Sequence, residues 1–536
     1  MTGRPPHQMV FACGRTHRPT GIELAHVDGF GVPRDPQRLL TTAVHRFGGN
    51  HKIVSIFLPE LESAHLRIGG ISSDRENPQC VLLSATNLIE NHQINRTHGL
   101  HLLQQLFPVY ALLSHSRLKC GQNNHPQTGD PTDGTHRDNL NSHSMLPAHP
   151  NVERRNVVIN LDHQATTPCH PSVIEAMEPW WREQWGNPSS RQHRLGLTAA
   201  AAIGSARERL ARSLGIRSEE LIFTSGATEA NNLALLGHAR ARALADGGPG
   251  HLISVDSEHH AVLDPLMQLK EEGFQITLLP PQSNGLIQVE QLEQAIQPNT
   301  QLVSVMVANN EIGVIQPIKE LSAVCSSQGI TMHSDAAQAY GHLPMRAEEL
   351  GCDLISLSAH KFNGPKGIGA LVVRQGTTLQ PLQWGGGQEQ GLRAGTLPVP
   401  LIMGMAAAAE LSLQDQKSRQ THLRTLRDQL WQGLKDQNPA IKLNGALQPR
   451  LAHNLNITIP GVSGSRLHRA LKPRLACSSG SACSRGEPSH VLRAIGRSRN
   501  EAEGSLRLSL GRDTTTDEIV AAIEVITSAI KALRQT

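Results

Sequence analysis

The chain has 536 residues, 50 Lys plus Arg against 46 Asp plus Glu for a formal net charge of +4, and 38% hydrophobic residues. That length excludes a small disulfide-stapled module, and eight thinly spread cysteines without a CxxC pair fit a reducing compartment. The charge is too small and dispersed for nucleic acid as a direct partner. No apolar run approaches a membrane-spanning helix and no apolar signal core opens the chain, so a soluble cytoplasmic protein is expected.

Residues 1 to 150 carry 14 of the 28 histidines and 11 arginines, but only Lys52 and Lys119. The tract from 121 to 141, GQNNHPQTGDPTDGTHRDNLN, is nearly devoid of apolar side chains and cannot bury enough surface to offset its ordering entropy. IVSIFLPEL (53 to 61) and LHLLQQLFPVYALL (100 to 113) are apolar, yet they sit in no sustained alternation of elements. An extension over 1–155, largely disordered, is therefore expected. Cys13 with His17, and His92, His98 and His101 beyond, lack a second pair at zinc-site spacing. A start at Met145, with 1 to 144 untranslated, is the alternative that this composition suggests.

From Val157 onward, short β-branched runs alternate with amphipathic stretches of helical length. LIFTS (221 to 225), HLISV (251 to 255), QLVSVMVA (301 to 308), ITMHSD (330 to 335), DLISLS (353 to 358) and GALVVR (369 to 374) read as strands. Helical patterns at 228 to 246, 260 to 272 and 317 to 328 lie between them. This order predicts an α/β fold, a largely parallel sheet covered on both faces with ligands at the C-terminal strand ends. A helical region from about 398 to 437 leads to NLNITI, RLACSS, SLRLSL and a closing helix over 515 to 533, a smaller α+β domain. The expected boundaries are 156–409 for the large domain and 410–536 for the small one, the first residues of the large domain being able to join the small.

Three features of the large domain carry chemistry. TSGATEANN (224 to 232) turns through small residues into a helix N-terminus, where free N–H groups and the Thr228 hydroxyl can meet an anion. Asp335 ends a buried strand, where a carboxylate needs a partner. Lys361, in SLSAHKFNGPKG, ends another and offers an amine nucleophile. An anion cradle, a carboxylate for a pyridinium nitrogen and an amine for an aldehyde are the parts that pyridoxal 5'-phosphate requires.

The ordered set LDHQATTP, TSGATEANN, SEHHAV, ANNEIGVIQP, HSDAAQ, SAHKFNGPKGIGAL, GGGQEQGLRAGT, SSGSAC and SLRLSLGR resembles the motifs of cysteine desulfurases of the NifS/IscS type. These belong to the class V aminotransferase family with fold type I, whose large domain has a mostly parallel seven-stranded sheet. The resemblance runs over about 380 residues. It implies that Lys361 bonds the cofactor aldehyde, Asp335 pairs with the pyridinium nitrogen and His259 stacks on the ring. Asn310 and Gln338 would bond the phenolate side, and Ala227, Thr228, Ser358 and His360 the phosphate. Thr396 would reach the phosphate of a partner subunit, which makes the protein a homodimer.

By the same resemblance Arg507 receives the substrate carboxylate, Asn187 belongs to the substrate side, and Cys483 is the thiol that takes sulfur from L-cysteine. Alanine and a Cys483 persulfide result, and the sulfur passes to an iron–sulfur scaffold or a tRNA-thiolation protein. Some relatives also place an iron–sulfur cluster on this cysteine, which would make Cys483 a transient metal ligand. The SRG segment between Cys483 and EPSHVL is shorter than in longer-looped members. Cys477, Cys169, Cys325 and Cys352 read as structural. The competing readings are a selenocysteine lyase or cysteine sulfinate desulfinase, which can act without an enzyme thiol, and a non-catalytic sulfur-pathway binding protein.

Overall fold

Apolar side chains on successive residues of a strand face opposite sides of its sheet, so a run buried throughout demands a layer on each face. The computed structural model describes residues 158–479 and 488–535, together with three strands before them: β1 (Thr41–Phe47), β2 (His51–Phe57) and β3 (His65–Ile71). By contacts the chain divides into two units, Met1–Met145 and Leu146–Thr536. In the first, β1, β2 and β3 form an antiparallel sheet in that order. Part of the apolar run at 53 to 61 is thus a strand, whose partners the sequence did not signal. The expectation of disorder for 121 to 141 and the candidate metal residues Cys13, His17, His92, His98 and His101 fall outside the described residues.

The second unit opens with β4 (Ile159–Asn160). Its main sheet contains β5 (Leu221–Thr224), β6 (His251–Val255), β7 (Gln275–Leu279), β8 (Thr300–Ser304), β9 (Thr331–Asp335), β10 (Leu354–Ser358) and β11 (Gly369–Val373). The order is β5-β11-β10-β9-β8-β6-β7, and all pairings are parallel except those β11 makes with β10 and β5. Six of the seven correspond to the runs read from sequence. β7, QITLL, is an edge strand that is mostly half-buried.

The alternation is explicit in the packing. Phe223, Ile253, Val303, Ile355 and Val372 enter one core with residues of the helices Arg194–Leu214, Ile318–Ser327 and Val399–Gln414. Ile222, Leu354 and Leu371 face the other side with Ala230 and Leu233, and Leu252 and Leu302 do so with Leu266 and Leu269. The helix Arg194–Leu214 stops at Gly215, whose φ of 67° supplies the left-handed turn that other residues resist.

Beyond the helix Gln416–Gln437, β12 (Lys442–Leu443), β13 (Asn454–Thr458), β14 (Leu475–Ala476) and β15 (Ser505–Ser509) follow. β12, β13 and β15 form an antiparallel sheet in that order, covered by Gln416–Gln437 and the closing helix Thr516–Arg534. β14 pairs in parallel with β4, and Ile159 and Leu161 join the apolar core of these C-terminal elements. The chain therefore enters through the smaller core before building the larger. Among the described residues no helix is long and apolar enough to cross a membrane.

Candidate active site

Lys361 closes a single turn, Ala359–Lys361, directly after β10. Its Nζ donates to the backbone oxygens of Gln164 (2.7 Å) and Ala165 (3.0 Å), in the LDHQATTP segment that follows β4. Gln338 Nε2 donates to the same Gln164 oxygen at 3.2 Å. Gln164 is itself buried, with its N–H on Ser509 Oγ (2.9 Å) and its Oε1 accepting from Asn454 Nδ2 (2.5 Å). The lysine is thus located by a residue that the smaller core holds in place. His360 Nδ1 lies 3.1 Å from Thr166 Oγ1 in the same segment. Burial, then the charges of Lys361 and Lys366, push this histidine down to about 4, so its ring is neutral at pH 7.

Asp335 ends β9 and is buried, as its place in the strand requires. One oxygen accepts from Asn231 Nδ2 (2.7 Å) and the other from the Ala337 N–H (2.8 Å), which meets the need for partners at this position. His259 caps the helix His260–Glu271, its Nδ1 accepting from the Ala261 N–H at 3.0 Å. That bond leaves the ring proton on Nε2. Burial holds His259 below the ordinary histidine value; the charge of Asp335 acts to raise it and that of Lys361 to lower it. The result is a neutral ring within charge range of both.

The anion side is built by close backbone approach. β5 ends at Thr224, the chain turns through Ser225 and Gly226, and a helix opens at Ala227 and Thr228 with first-turn N–H groups that no helical carbonyl can satisfy. A Cβ on Gly226 would lie 3.9 Å from Ser358 Oγ, so the hydroxyl at the end of β10 sits against this turn. Glu229, in the first turn, accepts from the Ser225 N–H (2.6 Å) and pairs with Arg393 Nε (2.8 Å). The arginine offsets the negative charge of Glu229, which would otherwise oppose an anion at this turn. Arg393 also ties down the loop that bears Thr396, an exposed residue.

Arg507 lies on β15, only 3% exposed. It donates to Asn310 O (2.9 Å) and to Asp162 Oδ1 (2.9 Å). Its Nε and Asn310 Oδ1 are buried and have no hydrogen-bond partner among the described residues. Asn187 is exposed and accepts from the Ser189 N–H at 2.9 Å; no hydrogen bond among the described residues links it to the others. Cys483 lies outside the described residues, and with it the cluster-ligand role that the resemblance implied. Burial pushes the Cys477 thiol up to about 12, with Asp162 adding to the shift and Arg507 opposing it. Cys325 is likewise pushed up to about 12, and Cys169 and Cys352 are raised, burial leading in each.

The donor set fits pyridoxal phosphate. There is a small-residue turn opening a helix whose first-turn N–H groups have no helical carbonyl to meet, a buried carboxylate for a ring nitrogen, a neutral imidazole face and an amine. The Asn310 amide beside Arg507, its Oδ1 without a partner among the described residues, is a buried polar group left for a ligand to meet. Asp162, Gln164 and Asn231 bond Arg507, Lys361 and Asp335 respectively, and motif reading assigned them no part. Each stands inside a quoted motif, and an amide or carboxyl amid such apolar neighbours was the available signal.

A family model for class-V aminotransferases matches residues 159–521. The chain is 46% identical over 381 residues to the cysteine desulfurase IscS of Rickettsia akari, a match covering 70% of this chain and 92% of that protein. A solved NifS-like protein superposes with a TM-score of 0.66 at 34% identity, covering 70% of this chain and 100% of that one. SspA, solved in complex with cysteine, does so with a TM-score of 0.58 at 37% identity, covering 66% and 99%. The chain belongs to the class-V aminotransferase family, in its branch of pyridoxal-phosphate-dependent cysteine desulfurases.

Proposed function

We propose that this desulfurase takes the sulfur of L-cysteine onto Cys483 and uses Lys361, Asp335, His259 and Arg507 to do so. The observation that carries the reading is the convergence of Lys361 Nζ and Gln338 Nε2 on one carbonyl, Gln164 O, with Asp335 and Lys361 both within charge range of His259. Pyridoxal phosphate, when bound, supplies an aldehyde to capture the substrate amine and a ring that draws electrons from its α-carbon. Ala227, Thr228, Ser358, His360, Asn310 and Gln338 would hold it. Arg507, held by Asp162 and Asn310 O, orients the substrate carboxylate through its remaining donors. Lys361 Nζ carries the proton at the substrate α-carbon. Cys483 Sγ, as thiolate, attacks the substrate sulfur. The new S–S bond forms as the substrate Cβ–S bond breaks, and the electron pair left on Cβ takes a proton to give the methyl group of alanine.

The product persulfide on Cys483 then serves an iron–sulfur scaffold or a tRNA-thiolation protein. A homodimer with Thr396 reaching the partner's phosphate supports a complete site; Trp384, 78% exposed in the loop that leads to Thr396, is the kind of surface such contact covers. Free Cys169, Cys325, Cys352 and Cys477 support a reducing, cytoplasmic setting. The test is an alanine and sulfide assay on Cys483→Ser with cysteine as substrate. Loss of sulfur transfer with cofactor absorbance retained is expected, and transfer at the wild-type rate would sink the assignment.

A further inference from the structure

Two buried glutamates with no part in this chemistry grip the chain just beyond Cys483. Glu311, 2% exposed, accepts from the hydroxyl of Ser489, 1% exposed. The same hydroxyl accepts from the Leu492 N–H at 3.0 Å and so caps the helix His490–Ala494. One residue on, His490 Nε2 donates to the backbone oxygen of Glu258 at 2.8 Å, beside His259. Val491, Leu492 and Ile495 pack on Ile312, the residue after Glu311, and on Val314.

Glu311 is itself fixed at both ends of its peptide unit. Its N–H donates to Asn309 Oδ1 (2.8 Å), and its carbonyl accepts from Asn454 Nδ2 (3.0 Å) and Asn456 Nδ2 (3.1 Å). It adjoins Asn310, whose carbonyl holds Arg507. Burial raises its carboxyl to about 7 while Ser489 and Arg507 pull it back, as expected for a buried acid retained for a bond it makes. Ser489 is six residues from Cys483, a tether of about 20 Å at full extension.

We propose that Glu311 is a positioning residue for sulfur abstraction: by holding Ser489 it fixes one end of the tether of Cys483 relative to Asn310 and Arg507. The proposal rests on the reading of Cys483 as the sulfur-accepting thiol. A thiol tethered to a fixed point spends more of its time near the substrate sulfur than one tethered to a free end, which favours the chemical step and not cysteine binding.

The test uses full-length, cofactor-loaded enzyme and measures kcat and KM for alanine formation, with single-turnover persulfide on Cys483 followed by mass spectrometry. Glu311→Ala and Ser489→Ala should each lower kcat and persulfide formation about 10- to 100-fold with KM nearly unchanged. The double variant should be no slower than Ser489→Ala, because the contact that Glu311→Ala removes is already lost with the Ser489 hydroxyl. Glu311→Gln and Ser489→Thr, which keep the hydrogen bond, should recover most of the rate. Multiplying losses in the double variant, a Glu311→Gln as slow as Glu311→Ala, or a loss confined to KM overturns the proposal. If Glu311→Ala does not fold, the Ser489→Ala and Ser489→Thr pair makes the same comparison. A fast Cys483→Ser defeats the underlying reading, whereas a slow Cys483→Ser beside fast Glu311→Ala and Ser489→Ala defeats the role of Glu311 alone.

Discussion

Gly369 offers a way to disturb the anion turn without altering a residue assigned to the cofactor. It lies in β11 opposite Thr224 of β5 and Ser358 of β10, the two strand ends that meet at the turn. A Cβ at this position would fall 2.4 Å from Leu357 O and 2.6 and 2.7 Å from Gly226 Cα and C. Carbon atoms pack at about 3.5–4.0 Å, so Gly369→Ala forces the Ser225–Gly226 backbone or the end of β10 back by about 1 Å. Overpacking of this kind costs about 1–3 kcal/mol. If the turn takes up the shift, the same energy is lost from phosphate binding, a fall in cofactor affinity of about 5- to 150-fold. Titration of cofactor-free enzyme with pyridoxal phosphate, followed by absorbance, gives the affinity, and urea unfolding gives the stability. Gly204→Ala is the control, since a Cβ there meets nothing within 4 Å. A Gly369→Ala enzyme that matches the Gly204→Ala control in affinity and wild type in urea midpoint would refute the reasoning, since Gly204 lies inside a helix where alanine is itself stabilising.

Lys361→Ala should abolish the absorbance of the lysine-bonded cofactor and lower alanine formation by at least about 100-fold, the contribution of a proton-transfer group. Retention of either signal would remove Lys361 from its role. His342, which donates to Lys361 O at 3.0 Å, is pushed down to about 4, chiefly by burial. The unfolded chain titrates this group near 6.5, so its contribution to stability is complete above pH 6.5 and falls as the pH drops toward 4. Glu258 and Glu311, raised by burial, act with the opposite sign in the same window, so a single stability curve does not isolate the histidine. Between pH 7 and 4.5 wild type should lose about 2 kcal/mol more than His342→Gln in urea unfolding. Equal losses would show that His342 is not buried as a neutral ring.

The parts of the fold that were legible are those whose cause is local. HLISV and LISLS read as strands because both faces are buried, and TSGATEANN reads as a strand, a turn and a helix start because glycine and small residues mark the break. β1 to β3 were not legible, since three short runs become a sheet only through pairing with one another. β4 was not legible either: two residues form a strand there because Leu475–Ala476 pairs with them from across the chain.

The same distinction separates the reactive groups of the site from what aims them. Lys361, Asp335 and His259 declare themselves by residue type and by place at strand ends or a helix start. Gln164 does not, yet its carbonyl takes Lys361 and Gln338 from the large core while its N–H and side chain take Ser509 and Asn454 from the smaller one. Asn454 also donates to Glu311 O, and Glu311 holds Ser489. A buried amide placed between two cores has no local pattern to announce it, because its partners come from segments hundreds of residues apart. Its burial without those partners would cost about 1–3 kcal/mol per unsatisfied group. The docking of the two cores is therefore coupled to the placement of the lysine, and a substitution at Gln164 should disturb both together.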